Sequence, residues 1–326
     1  MIQIVKPGSD PFFNIAAEEY LVKASEDEVL LIWENTDCVV VGKHQNTFAE
    51  INYKFVKTHK IPVIRRISGG GTVAQGRGNI NYSVILNHKN DQNKVDFHRF
   101  TKPITDFLQS IGVPATLQGK SNLTVHSLKF SGNAAHVFKQ RSLHHGTILF
   151  DADLDFIEQL ITVADEESFA SKAIPSNRVN ITNLRPQLLN DLDSDGFTDL
   201  LCDYLRNCFS IKEIRELTFN QLNEIQKLAD EKYNTWEWNF GYSPDFRLSK
   251  QINTQHFNAG VQLSVHKGVI SDMNVIHLTT KCNDFPDLTG VKFHENELYA
   301  LLHEKLTLLP DPDKEINEII NQMLFR

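Results

Sequence analysis

The sequence predicts an α+β fold in which a large mixed domain precedes a small one. Short apolar runs rich in β-branched residues are interspersed with longer stretches of helical spacing, which favours a mixed sheet with packed helices. A stretch rich in turn formers, NFGYSPDFRLSK at residues 239–250, divides the chain. The 326 residues, of which 41% are hydrophobic, suffice for two cores. We therefore expect domains at residues 1–243 and 252–326.

Local signals predict the elements of the first part. Asp10 and Pro11 are typical of an N-cap and a first helical residue, so a helix is expected from there. Apolar runs at residues 30–33 and 38–41 flank the turn formers at residues 34–37, and this pattern predicts a β-hairpin. Further strands are expected at residues 61–64, 80–86, 127–130 and 146–150. Further helices are expected at residues 97–111, 154–163, 197–209 and 219–233.

The second part has a simpler pattern. Residues 261–265 and 269–279 lie on either side of His266, Lys267 and Gly268, and they are expected to pair as strands. Two amphipathic stretches, at residues 295–308 and 314–324, predict helices.

Composition excludes several classes of function. A formal charge of -8 and a pI of about 5.9 disfavour a nucleic-acid-binding surface. No apolar run approaches the roughly 20 residues that span a bilayer, and the N-terminus lacks the pattern of a signal peptide. Cys38, Cys202, Cys208 and Cys282 form no CxxC or zinc spacing. We therefore expect a cytoplasmic protein without nucleic-acid or membrane partners.

The segment RRISGGGTVAQGRGNIN, at residues 65–81, has the composition of an anion site. Three consecutive glycines let the backbone approach a ligand closely, and successive N–H groups can then point toward an anion. Arg65 and Arg66 can add charge-assisted hydrogen bonds to a phosphate, a carboxylate or an acyl phosphate. The spacing fits neither a P-loop nor a dinucleotide-binding turn. On the loop alone, an anion site and an ordinary turn are equally good interpretations.

Seven separated blocks give the chain a resemblance to a known family. It resembles the lipoate–protein ligases of the bacterial ligase A type, which carry a C-terminal accessory domain. The blocks are DPFFNIAAEEYL (10–21), VVVGKHQNTFAEIN (39–52), RRISGGGTV with GNINYS (65–83), KFSGNA (129–134), HHGTILFDADL (144–154), NRVNITNL (177–184) and WEWNFG (236–241).

The resemblance implies a catalytic domain with the large mixed sheet shared with biotin ligases and related to class II aminoacyl-tRNA synthetases. It also implies a two-step reaction. Lipoate and ATP with Mg²⁺ form lipoyl-AMP, and a lysine of an acceptor then receives the lipoyl group. The implied acceptors are lipoyl domains of 2-oxoacid dehydrogenase acyltransferase subunits and the glycine cleavage H protein.

The resemblance also assigns roles to residues, and their chemistry suits those roles. Lys129, in KFSGNA, matches the catalytic lysine; a compact cation with three donors suits the meeting point of a carboxylate and a phosphate. The implied ATP and adenylate contacts are Arg66, Gly70, Gly71, Val73, Ala74, Asn79 and Lys129. The implied lipoate contacts are Trp33, Ser68, Gly71, His145, Gly146 and Thr147.

The chain departs from the family pattern at two places. The glycine motif usually continues with an aromatic residue and His-Asp, whereas here Ala74, Gln75 and Gly76 follow. Asn122 stands where the family has an aspartate that helps to hold Mg²⁺, and a neutral amide is a weaker ligand for this hard cation. Both departures concern adenylation more than binding of lipoyl-AMP.

Three hypotheses follow. The first is an ATP-dependent lipoate–protein ligase that forms lipoyl-AMP. The second is a lipoyltransferase that uses preformed lipoyl-AMP. The third is a non-catalytic protein that binds lipoate or lipoyl domains. A biotin ligase is a further option within the fold, but the blocks fit lipoate ligases better.

Overall fold

A computed structural model describes residues 1–5, 8–88, 95–161, 169–173, 175–176, 179–280 and 285–324. The chain divides into two compact units. The first unit comprises residues 1–43, 62–158 and 177–235, and the second comprises residues 44–61, 159–176 and 236–326. Domain limits at residues 1–243 and 252–326 stay a prediction.

The described strands and helices are numbered in chain order. The strands are β1 (Ile2–Val5), β2 (Val29–Glu34), β3 (Cys38–Val41), β4 (Val63–Arg65), β5 (Val73–Gln75), β6 (Asn79–Asn87), β7 (Thr116–Gln118), β8 (Asn122–Val125), β9 (Leu128–Phe138), β10 (Arg141–Leu149), β11 (Phe169–Ser171), β12 (Ile214–Glu216), β13 (Phe246–Asn253), β14 (Phe257–His266) and β15 (Val269–Thr280). The α-helices are α1 (Pro11–Ala24), α2 (Thr47–Glu50), α3 (Tyr53–Thr58), α4 (Phe97–Ser110), α5 (Leu154–Leu160), α6 (Ser194–Cys208), α7 (Phe219–Leu228), α8 (Glu295–Leu306) and α9 (Pro312–Leu324). Among these described helices, none has the length and apolarity needed to cross a membrane.

The first unit is built on a mixed eight-stranded sheet with the order β12-β1-β2-β6-β10-β9-β8-β7. Strand β1 pairs in parallel with β2 and β12, and the remaining neighbours are antiparallel. A separate sheet has the order β4-β3-β5. Phe107, Phe130, Phe150 and Phe197 are buried in the core that α4 and α6 share with the large sheet. This architecture confirms the predicted mixed α+β fold.

The predicted hairpin of residues 30–33 and 38–41 is wrong, although both strands exist. Strand β2 pairs with β1 and β6, whereas β3 pairs with β4 and β5 in the other sheet. Strand β3 is buried along its whole length. An apolar run of this kind carries no alternation that specifies a partner, so local turn formers cannot decide the pairing.

Several local signals are confirmed. Asp10 caps α1 by accepting hydrogen bonds from the N–H groups of Phe12 and Phe13 at 2.9 and 3.5 Å. The strands expected at residues 127–130 and 146–150 are ends of the longer pair β9 and β10. The helix expected at residues 219–233 is present in two parts. Helix α7 ends at Leu228, and a π-helical turn, Ala229–Tyr233, follows it directly. The helix expected at residues 154–163 is described only to residue 161.

The second unit gathers three chain segments around one antiparallel sheet with the order β11-β13-β14-β15. The expected pairing of residues 261–265 with 269–279 is confirmed in β14 and β15, and both C-terminal helices are present as α8 and α9. Phe48, Phe169, Phe246 and Phe293 belong to its core. In the turn-rich stretch of residues 239–250, a π-helical turn (Glu237–Gly241) is followed by the start of β13.

Glu19 on α1 holds the end of the α7 region through buried charge. It is 3% exposed and lies 2.5 Å from Nζ of Lys23 and 2.6 Å from Nζ of Lys232; Tyr233 also donates its hydroxyl to it. Burial alone would raise the pKa of Glu19, but these donors outweigh it and leave the pKa below 4.5. The carboxylate therefore stabilises the fold above pH 4.5, and this contribution is lost as the pH falls through the folded-state pKa.

We expect Glu19→Gln to lower the free energy of unfolding by about 1 to 3 kcal/mol at pH 7, because both lysines lose their counter-charge. The loss should shrink as the pH is lowered toward 4. Urea unfolding at several pH values measures it. Glu26→Gln, at an exposed site beyond the same helix, serves as the control. An equal loss at pH 7 and pH 4 would contradict the assignment of the effect to the charge.

Candidate functional site

The glycine loop is closed by the side chain of Arg66, which is 6% exposed. Its Nε donates to Oγ of Ser68 at 3.0 Å, and its Nη1 donates to the carbonyl of Val40 at 3.1 Å. Its Nη2 donates to the carbonyls of Gly69 and Gly71 at 2.6 and 2.8 Å. The guanidinium therefore fixes the conformation of the loop, whose carbonyls point inward to it.

The neighbouring residues tighten this arrangement. Arg65 is fully buried, and its Nη1 donates to the carbonyls of Gly42 and Lys43 at 3.0 and 3.1 Å. Gly70 has φ +87°, a backbone conformation that favours glycine, and a Cβ there would lie 3.0 Å from Nη2 of Arg66. Both arginines thus organise backbone, and the loop between them and β5 has one defined shape.

A chain of polar groups runs from Arg66 into the body of the first unit. Oγ of Ser68 lies 2.6 Å from Nε2 of His145, whose Nδ1 lies 3.0 and 3.1 Å from the two carboxylate oxygens of Glu18. Ser83 also donates its hydroxyl to Glu18. With Nδ1 of His145 protonated toward Glu18, Nε2 accepts from the hydroxyl of Ser68. Burial lowers the pKa of Arg66 to about 10, while the charge of Glu18 opposes that effect.

Lys129 lies at an irregularity of the sheet. The register of β9 against β8 shifts at Phe130, which has no partner in β8, so the strand has a β-bulge there. On the other side, the N–H of Lys129 donates to the carbonyl of Asn180 and its carbonyl accepts from the N–H of Thr182, both at 2.9 Å. Burial lowers the pKa of Lys129, and the charge of Arg66 lowers it further. Within the described part of the chain, the ammonium has no hydrogen-bond or ion-pair partner.

A second polar cluster crosses the strands beside Lys129. Tyr82 on β6 donates its hydroxyl to Oδ1 of Asn133 on β9. Nδ2 of Asn133 donates to the carbonyl of Ser121 at 3.0 Å and to Oγ of Ser131 at 3.2 Å. The bond between Tyr82 and Asn133 passes over Gly146 on β10, where a Cβ would overlap Oδ1 of Asn133 and lie 2.8 Å from the phenol oxygen. Only glycine leaves room for this bond.

Strand β5 presents Val73 and Ala74 at the edge of its three-stranded sheet. Strand β3 occupies one side of β5, and no described strand pairs with the other side. At the end of β5, the carboxylate of Asp37 lies over Gly76, in the space that a Cβ of residue 76 would take. Here the glycine, rather than the acidic residue of the family pattern, is compatible with the position of Asp37.

The other predicted residues lie on the middle strands of the large sheet. Asn79 is fully buried at the start of β6, and its Nδ2 donates to Oδ1 of Asn81 at 3.2 Å; its own Oδ1 accepts no hydrogen bond in the described structure. Trp33 on β2 is 7% exposed and pairs across the sheet with Asn81, which also pairs with Thr147 on β10. Oγ1 of Thr147 lies 3.5 Å from the N–H of Gly132.

Asn122 begins β8 and lies opposite Gly132 in β9. Within the described ranges, no group of three His, Cys, Asp or Glu residues is arranged to hold a metal. One neutral amide oxygen does not make a protein cage for Mg²⁺, which prefers carboxylates and phosphates. The residues present therefore do not fit a metal held by the protein alone.

The structure joins Arg66, Ser68, Gly71 and His145 by hydrogen bonds, and the charge of Arg66 contributes to the lowered pKa of Lys129. No role for Glu18, Tyr82 or Asn133 was predicted from the sequence. Glu18 lies in the block DPFFNIAAEEYL, Tyr82 in GNINYS and Asn133 in KFSGNA, so their position in those blocks was an available signal. Their contacts, however, join residues up to 127 positions apart and have no local signature.

Comparisons with known sequences agree on one family. The profile of the lipoyl protein ligase A/B catalytic domain matches residues 10–206. Lipoate–protein ligase 1 of Staphylococcus aureus is 34% identical over 301 residues, which cover 91% of this chain and 88% of that protein. Lipoate–protein ligase LplJ of Bacillus subtilis has the same identity and coverage.

Comparisons with solved structures support the same fold. A bipartite lipoate protein ligase of Thermoplasma acidophilum, studied with its E2 lipoyl domain, has a TM-score of 0.64 at 20% identity and covers 74% of this chain and 96% of its own. A lipoate–protein ligase A bound with ATP has a TM-score of 0.62 at 21% identity, with coverages of 74% and 100%. LipL1 of P. falciparum in complex with lipoate has a TM-score of 0.62 at 20% identity, with coverages of 99% and 99%.

We expect Gly146→Ala to lower the free energy of unfolding by about 1 to 3 kcal/mol, because the new methyl group collides with the buried bond between Tyr82 and Asn133. Urea unfolding measures the change, with Gly196→Ala on α6 as the control, because the Cβ of that variant meets only side-chain ends. Adding Tyr82→Phe should recover part of the loss. Wild-type stability of Gly146→Ala would contradict the crowding.

Proposed function

The chain belongs to the lipoyl protein ligase A/B family, and from this premise we propose that it attaches lipoate to a lysine of lipoyl domains at the expense of ATP. In the first step, a carboxylate oxygen of lipoate attacks the α-phosphorus of ATP, pyrophosphate leaves, and lipoyl-AMP forms. In the second step, the neutral amine of the acceptor lysine attacks the lipoyl carbonyl. AMP leaves with the electron pair of the anhydride bond, the nitrogen loses a proton to solvent, and an amide remains.

The observation that carries this proposal is the placement of two cations: Arg66 is buried inside the glycine loop, and the end of Lys129 lies beside Gly132 without an ion-pair partner among the described residues. Both are at least partly buried, and the charge of Arg66 lowers the pKa of Lys129. A poorly solvated cation is stabilised when an anion binds beside it. Adenylation brings a carboxylate and a triphosphate together, so it needs positive charge at that place before the reaction begins.

The residues then take distinct roles in the proposed reaction. Lys129 binds an oxygen of the lipoyl carboxylate and one of the α-phosphate, and so holds the two reacting groups together. The loop around Gly70 and Gly71, fixed by Arg66, contributes N–H groups to the phosphate. Asn79 adds an amide contact.

The adenine edge meets the backbone of Val73 and Ala74 at the edge of β5. Mg²⁺ enters as part of the substrate, bound to ATP by the phosphate oxygens, and Asn122 adds at most one neutral ligand.

Lipoate is proposed to bind along the middle of the large sheet. Trp33, Gly146 and Thr147 provide wall positions on neighbouring strands. Ser68 and His145 supply polar contacts and are themselves oriented by Arg66 and Glu18.

Relatives and neighbours suggest the partners. The Thermoplasma ligase was studied with its E2 lipoyl domain. We propose lipoyl domains of 2-oxoacid dehydrogenase acyltransferase subunits and the glycine cleavage H protein as acceptors, met in the cytoplasm.

A second candidate is a lipoyltransferase that uses preformed lipoyl-AMP. Ala74, Gln75, Gly76 and Asn122 favour it, because the lost acidic residues would serve the first step. The carboxylate of Asp37 over Gly76 favours the complete ligase, because it supplies an acidic group at the same place.

We expect Lys129→Ala to lower the rate of lipoyl transfer at least 100-fold without unfolding the protein, because the cation at the meeting point of the two anions is lost. The measurement is the intact mass of an apo lipoyl domain incubated with protein, lipoate, ATP and Mg²⁺. Circular dichroism checks the fold. Wild-type transfer by this variant would contradict the assignment.

The same assay separates the two candidates. Wild-type protein that lipoylates the acceptor from lipoate and ATP is a complete ligase. If transfer occurs only from synthetic lipoyl-AMP, the protein is a lipoyltransferase that does not form lipoyl-AMP from lipoate and ATP.

The lowered pKa of Lys129 gives a pH prediction for adenylation. The ammonium is the active form, so kcat/KM for pyrophosphate release should fall as the pH rises through a pKa below the usual 10.5. Single-turnover measurement of pyrophosphate in the absence of acceptor avoids titration of the acceptor lysine. In Lys129→Arg, residual activity should persist to higher pH. A rate that stays constant to pH 10.5 in wild type would contradict this role.

A further inference from the structure

The bulge in β9 places Lys129 and Gly132 on one side of the strand. In a regular strand, residues three positions apart point to opposite faces. The register shift at Phe130 breaks this alternation. As a result, a Cβ built on Gly132 would lie 3.1 Å from Nζ and 3.2 Å from Cε of Lys129. The end of the lysine side chain therefore borders the space that a side chain of residue 132 would take.

Gly132 has no other evident need to be glycine. Its φ lies outside the left-handed region that disfavours side chains. Apart from its chain neighbours, the two Lys129 atoms are the only described atoms within 4 Å of the added Cβ. Gly146 differs, because its Cβ would meet the buried bond between Tyr82 and Asn133. Among the described atoms, a side chain at residue 132 would thus displace only the end of Lys129, which carries the ammonium.

We propose that Gly132 is a positioning residue for the reaction, and that its missing side chain reserves the place of the Lys129 ammonium. The inference rests on the proposed function, in which that ammonium holds the lipoyl carboxylate and the α-phosphate together. Ordinary contacts between a methyl group and a neighbouring heavy atom are longer than about 3.5 Å, so Gly132→Ala displaces Nζ by several tenths of an ångström. Catalytic groups tolerate a misplacement of about 0.5 Å poorly.

The expected effect is on catalysis and not on stability. Lys129 has a flexible end that can move aside, and alanine also restricts the unfolded chain, so Gly132→Ala should fold as well as wild type. The kcat of pyrophosphate release should fall about 10- to 100-fold. KM for lipoate should rise by less than kcat falls, because only the contact of the lipoyl carboxylate with Lys129 is weakened and the proposed wall positions are unchanged. Gly196→Ala is the matched control, since its Cβ lies 3.1 Å from a side-chain atom, Oδ1 of the N-cap Asp193, in a helix outside the site.

A double-mutant cycle tests whether Gly132 acts through Lys129. Calorimetry gives the Kd of a non-hydrolysable lipoyl-AMP analogue for wild type, Gly132→Ala, Lys129→Ala and the double variant. We expect Gly132→Ala to weaken binding about tenfold in wild type and to have no effect in the Lys129→Ala background. Equal weakening in both backgrounds, or none in wild type, would overturn the inference.

A measurement on the free protein separates this inference from the proposed function. The rate at which an acylating reagent labels Lys129, followed by peptide mass spectrometry, should change at least twofold in Gly132→Ala and not in Gly196→Ala. If wild type neither binds the analogue nor modifies an acceptor, the proposed function fails while the labelling still tests the position of the lysine. If wild type is active and Lys129 is labelled at the same rate in Gly132→Ala as in wild type, the proposed role of Gly132 is wrong while the proposed function stands.

Discussion

The buried guanidinium of Arg66 is the constraint on which the candidate site depends. A cation removed from water must find acceptors, and Arg66 finds them in three backbone carbonyls and one hydroxyl. The loop of Gly69 to Gly71 is therefore folded around the cation. The hydroxyl of Ser68, held by Arg66, hydrogen-bonds to Nε2 of His145. The carboxylate of Glu18 binds Nδ1 of the same ring and supplies a negative charge.

Space is as important as charge in this site, and glycine provides it in two ways. At Gly146 the neighbouring atoms belong to a buried bond between Tyr82 and Asn133, so a side chain would cost stability. At Gly132 the neighbour is the movable end of Lys129, so a side chain would displace the ammonium rather than lower the stability of the fold. The same residue type thus serves the fold at one position and the chemistry at the other.

The elements that could be predicted from the sequence are those formed by residues close to one another in the chain. The N-cap at Asp10 and the pairing of β14 with β15 rest on contacts within a few residues. The partners of β3 were not predictable, because a fully buried strand has no alternation that specifies a neighbour. The second unit also joins distant segments, since Phe48 and Phe169 come from far earlier parts of the chain than the rest of its core.

The sequence by itself determined the family, the mixed α+β class and the chemical groups of the site, because residue types and their order in seven blocks carry that information. It could not determine how those groups face one another. The side chains of Glu18 on α1, Ser68 beside the glycine loop and His145 on β10 meet, and the bulge at Phe130 turns Gly132 toward Lys129. Such contacts arise only when strands pair in one register, and a register is a property of the whole sheet rather than of any segment.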